Sequence, residues 1–272
     1  MPKIAVNDIQ IYYELHGPPE AEVVVLSNGV LMSTASWAFQ IEVLSQQFRL
    51  LLYDCRGMWQ SDHPPGPYSM AMHADDLAGL LDSLGIESAH IGGTSYGAEI
   101  SMIFALNYPE RTKSLMVTSA VSHVESLLQG FVEIWNGAAQ AHDPERLYQA
   151  IYPLTFSEAW IAANQAALNQ ARERYERLDF DAFSSLLLSF SQLDITGDLY
   201  KITAPTLVVA GEEDILKPRH YSEIIADRIP HAEFAVIPGA GHAALWEKAE
   251  VFNSLLLGFL AKQGQRKSEG ES

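Results

Sequence analysis

The 272-residue sequence predicts an α/β fold, in which a mostly parallel sheet is flanked by helices and carries an inserted helical cap. Short apolar runs alternate with amphipathic helical patterns in residues 1–120 and again in 201–262, as in parallel sheets that are covered on both faces. Residues 121–200 show helical patterns only. We therefore assign the first two stretches to the core, the third to the cap, and the polar tail 263–272 to disorder.

The predicted strands are apolar runs bounded by glycine, proline or polar residues, and the predicted helices repeat apolar residues at three- and four-residue spacing. Gly85 and Pro109 are expected to end the helices that precede them. The predicted strands are 9–15, 23–26, 50–53, 88–92, 114–118, 206–210 and 234–237. The predicted helices are 36–48, 70–84, 96–108, 221–229 and 250–262 in the core, and 131–139, 144–151, 157–178 and 180–193 in the cap.

Composition limits the classes of partner and location. A net charge of −17 would repel a phosphate backbone, so we expect no nucleic-acid partner. The sequence has no run of eighteen apolar residues and turns polar at Asn7, so we expect neither a membrane span nor a signal peptide. The single cysteine, Cys55, permits no internal disulfide and fits a cytoplasmic location.

The segment Gly93-Thr94-Ser95-Tyr96-Gly97 stands between a predicted strand and a predicted helix, which is the context of a nucleophile elbow. Small residues flank the sharp turn, and the helix N-terminus behind Ser95 favours developing negative charge. The alternative is an ordinary glycine-rich turn. We predict Ser95 as the nucleophile.

A serine nucleophile needs a base and an orienting carboxylate. Of nine histidines, His242 lies in a small-residue loop after a predicted strand, at the sheet edge where α/β proteins bind ligands. Asp214 follows strand 206–210, and the chain order Ser, Asp, His is the order of this arrangement. Glu212 and Glu213 are the alternative acids. We predict His242 as the base and Asp214 as its partner.

Acyl transfer also needs two donors for the oxyanion. We assign them to the amides of Tyr96, directly after the nucleophile, and Val30, in the loop after strand 23–26; a plain turn is the alternative for that loop. The surrounding residues predict an apolar, aromatic pocket for a small substrate that is neutral and partly apolar. Core or cap packing is the alternative for the tryptophans, and a cap hinge for His123. The predicted substrate-binding residues are Gly29, Met32, Trp37, His123, Trp135 and Trp246.

With these residues the chain resembles the α/β-hydrolase family, and within it the 3-oxoadipate enol-lactonase-like and aminoacrylate hydrolase-like bacterial enzymes. The resemblance covers residues 5–262 and implies an eight-stranded sheet whose second strand is antiparallel, a helical cap, and neither a cofactor nor a metal. The motifs that carry it are Leu26-Ser27-Asn28-Gly29, Tyr53-Asp54-Cys55-Arg56-Gly57, Gly93 to Gly97, Gly211 to Asp214 and Gly241-His242.

The sequence departs from the family pattern at Trp59 and Ala98, where glycines are usual, and at Ala249, where proline is common. None of these is a predicted triad position. The enol-lactonase substrate is a carboxylate, but the sequence singles out no cap arginine as facing the pocket. The cap arginines on helical stretches are Arg146, Arg172, Arg174 and Arg177.

The predicted activity is hydrolysis of a carboxylic ester or lactone through an acyl-enzyme on Ser95. The same triad serves amide, thioester and carbon–carbon hydrolases, and a non-catalytic ligand receptor is the alternative from another class. Serine at position 95, where a haloalkane dehalogenase has aspartate, disfavours dehalogenation. We expect a monomer or a homodimer.

Overall fold

The computed structural model describes residues 3–270, with side chains for residues 3–264. Within these residues the chain forms one eight-stranded sheet. Its strands are β1 (Lys3–Val6), β2 (Ile9–His16), β3 (Val23–Ser27), β4 (Arg49–Tyr53), β5 (Ala89–Thr94), β6 (Thr112–Thr118), β7 (Thr206–Gly211) and β8 (Glu233–Ile237). The spatial order is β1-β2-β4-β3-β5-β6-β7-β8. β2 is antiparallel to both its neighbours and the other pairs are parallel, which confirms the mostly parallel sheet and its antiparallel second strand.

The helices follow the predicted alternation, with some differences in bounds. Predicted helix 36–48 is a short 3₁₀ turn followed by α1, and 157–178 is two helices divided at Asn164. β1 was not predicted, because four half-exposed edge residues carry little periodicity. The helices are α1 (Ala38–Leu44), α2 (Met70–Ser83), α3 (Tyr96–Asn107), α4 (Ser126–Gln140), α5 (Pro144–Thr155), α6 (Glu158–Ala163), α7 (Gln165–Tyr175), α8 (Phe180–Ser191), α9 (Arg219–Arg228), α10 (Ala244–Glu247) and α11 (Ala249–Gly270).

The C-terminal end of α11 differs from the predicted disorder of 263–272. The helix continues to Gly270, and residues 271 and 272 lie outside the described residues. Extending a helix that is already nucleated adds a hydrogen bond per residue at little entropic cost, and the tail is rich in Gln, Arg, Lys and Glu, which are good helix formers. Low hydrophobicity indicated that the tail has no core of its own, but it does not prevent this extension.

Two apolar clusters cover the two faces of the sheet. Successive side chains of a strand point to opposite faces, so Leu51 packs in one cluster and Leu50 and Leu52 in the other. Burial on both faces explains why β3, β4 and β7 read as nearly continuous apolar runs. No helix within residues 3–270 is both long and apolar enough to cross a bilayer.

Helices α4 to α8 form one segment between β6 and β7. The two connections that lead into and out of this segment lie side by side. The amide of Ile195 donates to the carbonyl of Ser122 at 2.8 Å, and the amide of Val124 donates to the carbonyl of Leu193 at 3.2 Å. The segment therefore leaves and re-enters the core at one place, above the carboxyl end of β6.

Candidate active site

Ser95 lies at the turn between β5 and α3, in a left-handed backbone conformation with φ 52° and ψ −122°. Its amide donates to the carbonyl of Thr118 in β6 at 2.8 Å. This strained turn is the geometry of a nucleophile elbow, and it lifts the side chain away from the sheet.

Glycines flank Ser95 because the backbone leaves no room for a Cβ. A Cβ on Gly93 would lie 2.5 Å from the carbonyl carbon and oxygen of Gly97, and a Cβ on Gly97 would overlap the carbonyl of Ser27. Ala98 replaces the second glycine of the family pattern and is fully buried. The elbow therefore needs its two flanking glycines, whereas a methyl group fits at position 98.

His242 and Asp214 are hydrogen-bonded to each other. Nδ1 of His242 lies 2.8 Å from Oδ2 of Asp214, and the Asp214 side chain is fully buried. Since a carboxylate only accepts, Nδ1 carries the proton and Nε2 is the nitrogen free to accept one. The Ser119 hydroxyl donates to the backbone carbonyl of His242 at 3.1 Å and fixes the histidine loop above β6.

The loop after β7 presents Asp214 rather than its glutamate neighbours. Oδ1 of Asp214 accepts hydrogen bonds from the amides of Leu216 at 3.0 Å and Lys217 at 2.8 Å, so both carboxylate oxygens are engaged. The side chains of Glu212 and Glu213 belong to exposed residues, and Glu212 accepts from the Gly239 amide instead. Of the three acids that the sequence left open, Asp214 is the one bonded to the histidine.

The loop after β3 lies against the elbow. A Cβ on Gly29 would lie 3.5 Å from Cβ of Ser95, so this backbone approaches the nucleophile closely. Val30 and Tyr96 both line the cavity that contains Ser95. Tyr96 is the first residue of α3, where an amide has no partner within the helix. Both residues that were predicted to supply the oxyanion donors therefore border the cavity that contains Ser95, and their role stays a prediction.

The carboxylate of Asp54 anchors the loop after β3 by hydrogen bonds. It accepts from the Asn28 side chain at 3.1 Å, the Thr34 amide at 2.9 Å and the Gln60 amide at 3.1 Å. Burial raises the pKa of Asp54 to about 6, although these hydrogen bonds oppose the shift. Asp54 therefore fixes the position of the loop that carries Gly29 and Val30.

One cavity of about 170 Å³ lies between the loops of the sheet and the helical segment α4 to α8. Its wall is mostly aliphatic and aromatic, and Ser95 and His242 are among the few polar residues that line it. The predicted site residues on this wall are Gly29, Val30, Met32, Ser95, Tyr96, Trp135, His242 and Trp246.

Trp37 and His123, which were predicted to bind substrate, do not line the cavity. Trp37 is fully buried in the core on the other side of the loop, and its indole nitrogen donates to the Asn28 side chain at 2.8 Å. His123 lies in the connection between β6 and α4, where its ring nitrogens contact Glu125 and Thr196. Both residues were misplaced because proximity in sequence to the elbow or strand end does not fix which way a side chain points.

Trp59, the departure from the family pattern, lies at the edge of the cavity. Its φ of 43° is a conformation that favours glycine. The indole nitrogen donates to the Leu31 carbonyl at 3.1 Å, and the guanidinium of Arg174 lies 4.6 Å from the ring centroid. Arg174 is exposed and also lines the cavity, so it stands at the mouth. Nothing in the spacing of the four cap arginines distinguished it.

A buried ion pair also borders the cavity. Nζ of Lys217 donates to Oε1 of Glu99 at 2.7 Å, and both side chains are almost fully buried. Burial raises the pKa of Glu99, and the ammonium beside it opposes that rise. Lys217 lines the cavity and was missed, although its place three residues after Asp214 marks it as part of the acid loop.

The arrangement supports nucleophilic attack by a serine on a carbonyl carbon. It joins a strained serine, an oriented histidine and a largely apolar cavity. Among the described residues, no group of three or more His, Cys, Asp or Glu is placed to hold a metal ion.

Known proteins resemble this chain in sequence and in fold. A relative from Azorhizobium caulinodans, named putative carbamate hydrolase RutD, is 32% identical over 97% of this chain and all of its own length. The crystal structure of MGS-M2, an α/β hydrolase from a deep-sea metagenome library, superposes with a TM-score of 0.89 at 30% identity, covering 96% of this chain and 97% of that one. The enol-lactonase of Burkholderia xenovorans gives 0.91 at 26% identity, covering 96% and 100%. The family model for the α/β-hydrolase fold matches residues 22–249. The chain therefore belongs to the α/β-hydrolase fold family.

Proposed function

We propose that this hydrolase cleaves a carboxylic ester or a lactone through an acyl-enzyme on Ser95. The observation that carries the proposal is the Asp214–His242 hydrogen bond, whose histidine lines the same cavity as a serine on a strained elbow. Three buried groups with these roles have little purpose in a protein that only binds a ligand.

In the proposed mechanism, Ser95 Oγ attacks the carbonyl carbon while Nε2 of His242 takes its proton. The amides of Tyr96 and Val30 stabilise the oxyanion, and Asp214 stabilises the imidazolium. The leaving alcohol receives the proton from His242, and water then hydrolyses the acyl-enzyme by the same route. In a lactone the alcohol stays attached to the acyl group and leaves with it in the second step.

A carbamate is the second candidate substrate. The observation that favours it is the name of the curated relatives, putative carbamate hydrolase, at 32% identity over nearly the whole chain. A carbamate carbonyl would acylate Ser95 in the same way, so the triad does not distinguish it from an ester. The same holds for the amide, thioester and carbon–carbon bonds considered above. The apolar wall favours a small substrate that is at least partly apolar.

The test is a matched panel of ester, lactone, carbamate, amide and thioester substrates, with the acyl-enzyme trapped by acid quench, digested and located by peptide mass spectrometry. We expect fastest turnover of an ester or a lactone, and an added acyl mass on the peptide that contains Ser95. Fastest turnover of a carbamate with the same adduct would support the second candidate. Turnover that leaves no adduct on Ser95 and that Ser95→Ala retains would contradict the covalent mechanism.

A further inference from the structure

The buried ion pair of Lys217 and Glu99 joins three parts of the site. Glu99 lies on α3 behind the nucleophile, and its Oε1 accepts from Lys217 Nζ at 2.7 Å and from the Val121 amide at 3.0 Å. Lys217 lies on the loop of the catalytic acid, and its ammonium is 4.7 Å from the ring centroid of Phe190 on α8. Both Lys217 and Phe190 line the cavity.

The Lys217 ammonium has more donors than the protein uses. An ammonium carries three N–H groups, and Glu99 Oε1 is its one hydrogen-bond acceptor among the described residues. The Phe190 ring faces it with a weaker, electrostatic contact. Lys217 is 4% exposed and lines the cavity, so a polar group inside the cavity can accept from the donors that Glu99 leaves free. A buried donor without an acceptor is destabilising, and here it borders the space that a substrate fills.

The net charge of the Lys217–Glu99 pair indicates which kind of substrate group can accept a hydrogen bond from Lys217. Glu99 already offsets the ammonium charge, and among the described residues no Asp or Glu lines the cavity itself. Beside Lys217, a substrate carboxylate would meet a pair with no net charge while losing its hydration, which is unfavourable. The other cation on the wall, Arg174, is exposed and stands at the mouth of the cavity, away from this pair. A neutral carbonyl, amide or hydroxyl oxygen can accept from Lys217 with much less desolvation.

We propose that Lys217 is a specificity-determining residue, which binds a second, neutral oxygen of the substrate in addition to the carbonyl that Ser95 attacks. The substrate class is thus an ester or lactone with an oxo, amide or hydroxyl group on its acyl or alcohol part. This inference rests on the proposed function, since it assigns a substrate feature to the same cavity.

The experiment measures how far a second oxygen improves kcat/KM. One pair is p-nitrophenyl 5-oxohexanoate and p-nitrophenyl hexanoate; the other is 4-oxopentyl hexanoate and pentyl hexanoate. We expect the parent protein to prefer the oxo ester in at least one pair. Lys217→Met should reduce that preference roughly 10- to 100-fold, the range for a hydrogen bond to a charged group.

Two further variants keep the test informative if Lys217→Met folds poorly. Glu99→Gln/Lys217→Met removes both charges and retains an acceptor for the Val121 amide, and it should lose the preference equally. Glu99→Gln alone leaves an uncompensated ammonium and should shift selectivity towards mono-p-nitrophenyl glutarate, which carries a carboxylate. Arg219→Met, an exposed arginine on α9, is the matched control and should retain the parental preference.

The outcomes separate this inference from the proposed function. A parent that hydrolyses hexanoate esters without preference for either oxo ester would overturn the role of Lys217 and leave the hydrolase proposal standing. An equal loss on all esters in the Lys217 variants would mean that the pair only supports the Asp214 loop. Failure of the parent on every ester would contradict the proposed function itself.

Discussion

Ser95 adopts a backbone conformation that few residues other than glycine favour. Such strain persists only where the surroundings enforce it, and here the Thr118 carbonyl and the flanking glycines do so. The fold therefore maintains local backbone strain at the residue that presents the Ser95 hydroxyl.

Ser95→Ala should keep the fold and lose nearly all turnover, on the order of 10⁶-fold if the triad acts as a unit. The methyl group of alanine fits the same turn, so stability should change little. A fluorophosphonate probe should label the parent protein and leave the variant unlabelled. Labelling of the variant at the parental rate would exclude Ser95 as the nucleophile.

Asp214→Asn should lower turnover by up to about 10⁴-fold, because an amide no longer fixes the proton on Nδ1 of His242. Glu212→Gln and Glu213→Gln are the controls from the same loop and should retain most activity, since both glutamates are exposed. Steady-state kinetics on the best ester compares the three. Our assignment of the acid is wrong if a glutamate variant is the inactive one and Asp214→Asn turns over normally.

The turn at Ser95 and the hydrogen-bonded pair of Asp214 and His242 could be predicted because each residue has a signal in its own neighbourhood: a glycine-flanked strand-to-helix turn, an acid after a strand, and a histidine in a small-residue loop. Arg174 has no such signal, and the signal for Lys217 is only its place three residues after Asp214. Their approach to the cavity depends on packing between elements distant in sequence, as with Lys217 and Glu99. Trp37 was misplaced for a different reason. The turn before α1 decides which side of the loop its side chain faces, and the sequence pattern does not show this.

At the level of elements, apolar periodicity predicted seven of the strands and the order of the helices. It could not locate the break at Asn164, because α6 and α7 continue the same apolar spacing across it. β1 is defined by its hydrogen bonds to β2, because its own sequence shows little apolar periodicity. The turn that joins β1 to β2 includes Asn7 at φ 51°. Elements that depend on a partner strand or a single turn are the ones that local pattern misses.

We predict that helices α4 to α8 act as a cap that selects substrates while the sheet loops hold the chemistry. Trp135 on α4 lines the cavity and is 6% exposed, so Trp135→Ala removes part of the apolar wall and enlarges the cavity. The preference of this variant among p-nitrophenyl esters from acetate to decanoate should differ from that of the parent. The largest change to expect is roughly 10- to 200-fold in kcat/KM for each methylene. Acylation by a small inhibitor should change less.

Ile134→Ala is the matched control, because Ile134 is the adjacent residue on α4 and is 51% exposed. It should keep the parental chain-length profile. If substitutions throughout residues 121–200 left relative specificity unchanged, the segment would not act as a cap.

At the level of the whole molecule, a buried histidine makes folding sensitive to acid. His73 on α2 is 1% exposed, and its Nε2 lies 2.8 Å from the hydroxyl of Tyr96. Burial lowers the pKa of His73 to about 3. The unfolded chain takes up this proton below about pH 6.5 and the folded protein only near pH 3. The stability that the folded protein has with neutral, buried His73 is therefore fully present above pH 6.5, and it is lost as the pH falls from there towards 3.

His73→Gln should remove this part of the pH dependence. Between pH 7.5 and pH 5, the free energy of unfolding of the parent should fall by about 2 kcal/mol more than that of the variant. Urea unfolding at the two pH values measures the difference, and His220→Gln, at an exposed histidine, is the control. Equal losses in parent and His73→Gln would show that His73 does not titrate between these pH values.

The paired connections at Ser122–Ile195 and Val124–Leu193 have a consequence for how such a chain can diversify. The two ends of the inserted segment are hydrogen-bonded to each other. The distance that the segment must span between β6 and β7 is therefore short, whatever the length of the segment itself. A foreign helical insert with equally close ends can be grafted there without moving β6 or β7. We predict that selectivity and catalysis can be exchanged separately, so that chimeras made at this junction inherit the substrate range of the donor and the reaction of the recipient.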